Sequence, residues 1–283
     1  HSFPKRRSSD LNSTASGLSV PVWPLTYGEN PITYPVSKWV GGIKYEHGHR
    51  LLATLEGFLI FVEMLWIWRV ERGGKRRWLK NLSLIAFISV CIQGLLGGLT
   101  VLYGLPTIIS VCHAILAQSL LIITVAIAVG TSRKWLTAPQ QEVHAPVSIR
   151  TLLGITFGFT FVQILMGAIV RHTYSGLVIQ DFPLAFGKVI PDFVNFNITI
   201  HYMHRVGALI LSILIYTQGI RVWRAGKELM GLRWPVTALM ILVVIQVTLG
   251  AFIIWTQEHV VPNTLHVAVG ASVFMTAFIA YVR

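Results

Sequence analysis

Seven apolar segments dominate this sequence and constrain its fold more than any other feature. Each is about twenty residues long or longer, which is the length that crosses the hydrocarbon core of a bilayer as a helix. A membrane β-barrel would instead need segments of about ten residues that alternate between apolar and polar. The pattern predicts an all-α polytopic membrane protein with spans near residues 49–70, 80–103, 106–130, 150–171, 200–222, 234–256 and 263–282.

The basic charge of the chain follows the predicted topology. The net charge is +12, although only 12% of the residues are charged. Lysine and arginine concentrate in 69–80, 133–150 and 221–233, whereas 104–105 and 257–262 have none and 172–199 has only Lys188. This alternation is the positive-inside pattern, and it places the N-terminal segment and the three basic-poor connections on the outer side. The charge therefore indicates membrane topology and gives no support to a nucleic-acid partner.

The sequence contains an internal repeat. Residues 14–28 read TASGLSVPVWPLTYG and residues 173–187 read TYSGLVIQDFPLAFG. Three further landmarks recur in the same order, and all four offsets fall between 153 and 159 residues. These pairs are His49-Arg50 with His204-Arg205, Gln93 and Gly97 with Gln246 and Gly250, and His113 with His266. Because repeats at a nearly constant offset identify duplicated units, the chain is predicted to be a tandem duplication with halves at 1–133 and 134–283.

The two halves differ in the number of predicted spans. In the second half, a helix at 150–171 precedes the repeated loop, whereas only thirteen residues precede that loop in the first half. The duplication therefore predicts a parent with eight spans in two four-helix bundles, of which seven are present in this sequence and the first is missing.

Four histidines occupy equivalent positions in the two halves. His49 and His113 lie near the outer ends of helices that run in the same direction, and His204 and His266 repeat this arrangement. Two imidazoles from neighbouring helices at similar depth are able to ligate the two axial faces of one haem iron. Each histidine alone also fits an interfacial residue bonded to a carbonyl group. A zinc site is less favoured, because it needs about four ligands that converge on one ion.

Glu46 distinguishes the two halves. It lies three residues before His49, which places it near that histidine on one helix face, and its counterpart is His201. The difference suggests a reactive pocket in the first half and an electron-transfer pocket in the second. The alternative is that Glu46 interacts favourably with the helix dipole. Glu56, two turns below His49 and matched by Leu211, is a candidate proton-relay group.

Other polar residues near the four histidines have more than one interpretation. Arg50 and Arg205 follow ligand candidates directly, so they are candidates for pairing with haem propionates or for interfacial anchoring. The remaining histidines are interpreted as surface or interface residues, namely His47, His144, His172, His201 and His259.

The motifs together resemble those of the haem A synthase family. The resemblance covers almost the whole chain and rests on Glu46-His-Gly-His49-Arg50, Ser16-Gly-Leu-Ser with Trp23-Pro24-Leu25, Cys112-His113-Ala, His204-Arg205 and Leu265-His266-Val. It implies an eight-helix duplication and the oxidation of a ring methyl group of haem O, through hydroxylated intermediates, to the formyl group of haem A.

The resemblance also implies roles for individual residues. His49 and His113 would flank the substrate haem O, or the product haem A, in the N-terminal half, and His204 and His266 would ligate a haem b in the C-terminal half. Glu46 would be the catalytic carboxylate. The implied partners are a haem O synthase and an electron acceptor, the oligomeric state stays open to a homo-oligomer, and the short loops favour a bacterial cytoplasmic membrane with the haem sites toward the outer face.

Two other classes of protein also account for the four histidines. One is a di-haem b membrane cytochrome that passes electrons from quinol, which has no special need for Glu46. The other is a haem-binding transporter or assembly factor without chemistry.

Overall fold

The computed structural model describes residues 18–74, 76–133 and 147–283, and these residues form seven long helices. All seven are long and apolar enough to cross a membrane, which confirms the predicted polytopic all-α fold. The helices are α1 (Ile43–Val70), α2 (Arg77–Leu102), α3 (Thr107–Thr131), α4 (Val147–His172), α5 (Phe196–Arg224), α6 (Met230–Trp255) and α7 (Val260–Val282).

Most helices begin earlier than the apolar segments predict. α1 begins at Ile43 and α5 at Phe196, six and four residues before the predicted starts. The extra turns carry polar residues such as Lys44 and Glu46. Hydropathy detects only the part of a helix that lies in hydrocarbon, about 30 Å, whereas the helix itself continues into the interface. His49 therefore lies almost two turns inside α1 and does not open it.

The chain divides into two compact units, His1–Leu136 and Thr137–Arg283. In the first unit, α2 packs against both α1 and α3. The side chains buried between these helices are Ile60, Ile67, Leu79, Ala86, Leu120 and Ile127.

The second unit is a closed four-helix ring. α5 packs against α4 and α6, while α7 packs against α6 and α4. Its core includes Ile215, Val236 and Leu239, all fully buried. The rings of Phe157 on α4 and Phe274 on α7 stack with their centroids 5.1 Å apart. This packing holds the helices that carry His204 and His266 within one rigid bundle.

A loop precedes the His-Arg helix of each unit, and the two loops share one turn. We name them L1 (residues 18–42) and L2 (residues 173–195). Tyr27 and Gly28 in L1 both have positive φ, as do Phe186 and Gly187 in L2. Positive φ at two successive residues defines a type I′ turn, for which glycine carries little steric penalty. Paired backbone hydrogen bonds close the two turns between Thr26 and Glu29 and between Ala185 and Lys188, so the repeat is structural as well as sequential.

Candidate functional site

Arg50 and Arg205 tie each loop to its helix. Each guanidinium group donates hydrogen bonds to three main-chain carbonyl oxygens of the loop in its own unit. Arg50 contacts Val20, Val22 and Leu25 at 2.8–3.1 Å, and Arg205 contacts Ile179, Asp181 and Leu184 at 2.8–2.9 Å. With a further bond to Glu46, the four terminal N–H groups of Arg50 all have partners. Pairing of either arginine with a haem propionate stays a prediction, and the structure gives both guanidinium groups another function.

We expect Arg205→Lys to loosen L2. A lysine ammonium cannot reproduce the planar fork that reaches three carbonyl groups, and each bond to a charged group that is lost costs about 1.5–3 kcal/mol. Thermal unfolding and limited proteolysis within L2, measured on the solubilised protein, check this expectation. Arg221→Lys is the matched control, because Arg221 is exposed near the other end of the same helix. Equal effects of the two variants would contradict the anchoring function.

Glu46 and His201 occupy equivalent places beside these arginines. One carboxylate oxygen of Glu46 accepts a bond from Arg50 at 2.8 Å, and the other accepts one from the main-chain N–H of Val20 at 2.9 Å. In the second unit, Nε of Arg205 donates to Nε2 of His201 at 3.2 Å. One loop anchor therefore contains a carboxylate where the other contains an imidazole, as the sequence comparison predicts.

His47 and His201 are not surface residues, and that prediction is wrong for both. His47 is fully buried and His201 is 5% exposed. The ring of His47 lies 4.7 Å from the ring of Trp39 and 5.1 Å from that of Tyr34, and its Nδ1 lies 3.1 Å from Oγ1 of Thr26. The prediction failed because hydropathy does not reveal that the loop folds over the end of the helix.

Two carboxyl groups outside the spans have shifted pKa values. The main-chain N–H groups of Gly187 and Phe186 hold the pKa of Asp181 below its usual range. Burial raises the pKa of Glu258, and attraction to Arg171 partly opposes this shift. Because the folded-state pKa of Asp181 is depressed, the support that it gives to the L2 turn is present near neutral pH and is lost as pH falls through that pKa.

The pairing of the four ligand candidates stays a prediction, with which their electrostatic interactions agree. His113 lies within electrostatic range of His49, and His204 lies within electrostatic range of His266. Across residues 18–74, 76–133 and 147–283, no group of three or more histidine, cysteine or acidic side chains is arranged to hold a metal ion. Each couple thus offers two imidazoles, which is the donor set of a haem iron with two axial histidines.

Three of the four imidazoles rest on a glycine of the preceding helix. We call these glycines ring seats: Gly97 for His113, Gly167 for His204 and Gly250 for His266. A Cβ atom added at each would lie only 3.1–3.3 Å from Cε1 of the histidine ring. A side chain at any of these seats would therefore crowd the ring that packs there, and in the second unit, where both rings have a seat, the residues present fit a haem held by two imidazoles.

A glutamine lies four residues before each ring seat. Nε2 of Gln93 donates to the main-chain carbonyl of His113 at 3.0 Å, and Nε2 of Gln163 donates to that of His204 at 2.7 Å. Sequence comparison paired Gln93 with Gln246 but missed Gln163 and Gly167. The signal that identifies them is a third Gln-x-x-x-Gly, in α4.

Glu56 is exposed on α1 and makes no hydrogen bond or ion pair with the part of the chain that the structure describes. Its counterpart Leu211 is buried in the core of the second unit. The two equivalent positions therefore differ in burial as well as in residue type. A proton-relay role for Glu56 stays a prediction.

Comparison with known proteins places the chain in a family. Residues 42–278 match the family described as "Cytochrome oxidase assembly protein". The chain is 27% identical to "Heme A synthase" of Halalkalibacterium halodurans over 90% of this chain and 83% of that protein. It is 28% identical to "Heme A synthase" of Alkalihalophilus pseudofirmus over 89% of this chain and 82% of that protein. A "Heme A synthase" of a Bradyrhizobium species is 31% identical over 64% of this chain and 53% of that protein. The matched region contains all seven helices almost to their ends, both histidine couples and Glu46, and the chain therefore belongs to the cytochrome oxidase assembly protein family.

Proposed function

We propose that this chain is a haem A synthase, which oxidises a ring methyl group of haem O to the formyl group of haem A used by terminal oxidases. The observation that carries this proposal is that the two units share their histidines and their arginine anchor, but only the first has a carboxylate, Glu46, at the helix position where the second has His201. Relatives over most of the chain carry the same function in their names. A haem carrier would need the four histidines but would have no use for this asymmetry.

We assign the substrate to the unit that contains Glu46. His49 and His113 would flank haem O there, and His204 and His266 would hold a resident haem b in the second unit. The ring seats support the assignments of His113, His204 and His266, because a side chain at Gly97, Gly167 or Gly250 would crowd the imidazole that packs there. A bound haem b supplies one-electron transfer, which suits the oxidation of a substrate that gives up electrons.

Glu46 is assigned to the chemical step. With water as the oxygen donor, conversion of a methyl group to a formyl group releases electrons, which pass to an electron acceptor, and protons, which pass to nearby bases or water. A carboxylate beside the methyl carbon stabilises developing positive charge or accepts a proton. Glu46 lies one helical turn from His49, and the bonds from Arg50 and from the N–H of Val20 restrict its motion. This preorganisation is what an electrostatic or acid–base role requires.

The proposal includes a membrane orientation and partners. Both couples would lie toward the outer face of a bacterial cytoplasmic membrane, and the distribution of lysine and arginine among the connections supports this orientation. A haem O synthase would deliver the substrate and an electron acceptor would reoxidise the enzyme.

Expression with and without a haem O source tests the proposed function. We expect the purified protein to contain haem B with traces of haem O or haem A, and cells with the haem O source to accumulate haem A. The measurement is pigment extraction followed by chromatography and mass spectrometry. Haem B alone at about two per chain would instead identify an electron-carrying cytochrome, and substoichiometric haem without haem A would identify a transporter.

A further inference from the structure

The Gln-x-x-x-Gly motif occurs once in every two-helix hairpin of the described chain. It lies on α2, α4 and α6, and the helix that follows each one carries a ligand candidate on α3, α5 and α7. The two halves of the chain are therefore not the smallest repeated element. The smaller element is a hairpin with one glutamine, one ring seat and one histidine.

Helix geometry explains the spacing of the motif. Residues four apart lie on one face of a helix and are separated by about 6 Å along its axis. In an α-helix the carbonyl group points toward the C-terminus and the side chain leans toward the N-terminus. In an antiparallel hairpin, the carbonyl of the histidine therefore lies level with the glutamine, and its ring lies level with the glycine one turn further along.

Gln163 makes the closest contacts of this kind. Its Nε2 lies 2.7 Å from the carbonyl oxygen of His204 and 3.1 Å from Nδ1 of the same residue. That carbonyl has a second lone pair beyond the one used in its own helix. Gln163 is buried, and Gly207 on α5 leaves room for its Oε1, because a Cβ atom there would overlap it. The amide thus holds the backbone of His204. Because an amide nitrogen only donates, its contact to Nδ1 needs an unprotonated Nδ1, and this contact would be lost when Nε2 of the ring holds iron.

Gln246 holds its histidine differently. Nδ1 of His266 lies 3.1 Å from the main-chain carbonyl oxygen of Gln246, so the ring donates to the backbone and leaves Nε2 available for a metal. The side-chain amide of Gln246 lies instead beside Gly270 on α7. Removal of this side chain therefore leaves the contact to His266 intact, which makes Gln246 a natural control for Gln163.

We propose that Gln163 is a positioning residue that holds His204 in place as a haem ligand through its main-chain carbonyl group, with Gly167 as the matching ring seat. Gln93 and Gly97 hold the main chain and seat the ring of His113 in the same way. This inference rests on the proposed function insofar as it needs haem between His204 and His266. It adds residues that act on the ligand and do not touch the haem iron themselves.

Gln163→Leu tests the inference through the binding of carbon monoxide to the reduced protein. Carbon monoxide binds a six-coordinate haem only when an axial ligand leaves the iron. Loss of a group that supports a metal ligand typically weakens metal binding by about 10- to 100-fold. We therefore expect Gln163→Leu to retain haem but to bind carbon monoxide about tenfold faster or more, with altered low-spin electron paramagnetic resonance signals.

Gln246→Leu is expected to behave like the unsubstituted protein in the same assay. Gly167→Ala, which keeps the amide but crowds the ring, is expected to speed carbon monoxide binding in the same direction as Gln163→Leu. If Gln163→Leu does not accumulate in cells, Gly167→Ala serves as the test. An unchanged rate of carbon monoxide binding in Gly167→Ala then overturns the inference. Equal rates in Gln163→Leu and Gln246→Leu also overturn it while leaving the proposed function intact. An unsubstituted protein purified without haem would contradict the proposed function before any variant is compared.

Discussion

Glu46→Gln is expected to lower haem A formation by about a hundredfold or more while haem binding persists. General acid–base or electrostatic groups contribute about 10²- to 10⁴-fold to rate, and glutamine retains the shape of the side chain without its charge. Its amide oxygen is still able to accept the bond from Val20 N–H, so the contact to L1 survives in part. The measurement is the yield of haem A per chain in cells supplied with haem O, together with the total haem of the purified protein.

Glu29→Gln is the matched control for Glu46→Gln. Glu29 is an acidic residue of L1, the loop that Glu46 contacts, and it forms an exposed ion pair with Lys38. Exposed pairs contribute about 0–1 kcal/mol to stability, so this variant is expected to make haem A at an unchanged rate. Unchanged haem A formation in Glu46→Gln would remove the carboxylate from the chemical step and leave it only its function in anchoring L1.

His204→Ala and His266→Ala are each expected to remove the haem of the second unit. Iron held between two imidazoles loses one of its two protein bonds in either variant, and the ring seat on Gly167 or Gly250 is left empty. We expect each single variant to lose the haem B of the second unit, so that only the traces of haem O or haem A in the first unit remain. The double variant should bind no less haem than either single one, because residues that act as one unit are not additive. Pyridine haemochrome assays on purified protein measure the haem per chain.

His259→Ala controls for the general effect of removing a histidine from this unit. His259 is exposed, and it caps α7 through a bond from the N–H of Val261 to Nδ1. Its replacement is expected to leave the haem content unchanged and to cost about 1 kcal/mol or less of stability. Full haem content in His204→Ala would show that this histidine is not a ligand.

The helices were predictable because apolar length alone leaves a signal that located all seven of them. The internal repeat identified four histidines as ligand candidates, and their function as ligands stays a prediction. The function of Arg50 was not predictable, because its partners are carbonyl groups of L1, and main-chain groups have no letter in a sequence. The burial of His47 under Tyr34 and Trp39 depends on the path of L1. Hydropathy gives no information about the path of a loop.

Gln163 was missed for a different reason. A comparison of the two halves aligns α2 with α6 and leaves α4 without a counterpart in the sequence. The motif on α4 becomes visible only when single hairpins are compared. The motif on α4 is as complete as those on α2 and α6, and it is hidden only when the repeat is taken to be half of the chain.

The hairpin as the smallest repeat has a consequence for how such a protein changes over time or under engineering. The hairpins α4–α5 and α6–α7 each contain the glycine and the hydrogen bond that position their own histidine. Each hairpin therefore positions one imidazole independently of the other hairpin. One ligand can thus be retuned, or exchanged for another residue type, without re-optimising the half of the pocket that faces it. Hairpins that evolve at different rates offer a simple route from two identical pockets to the two different pockets that we propose for this chain.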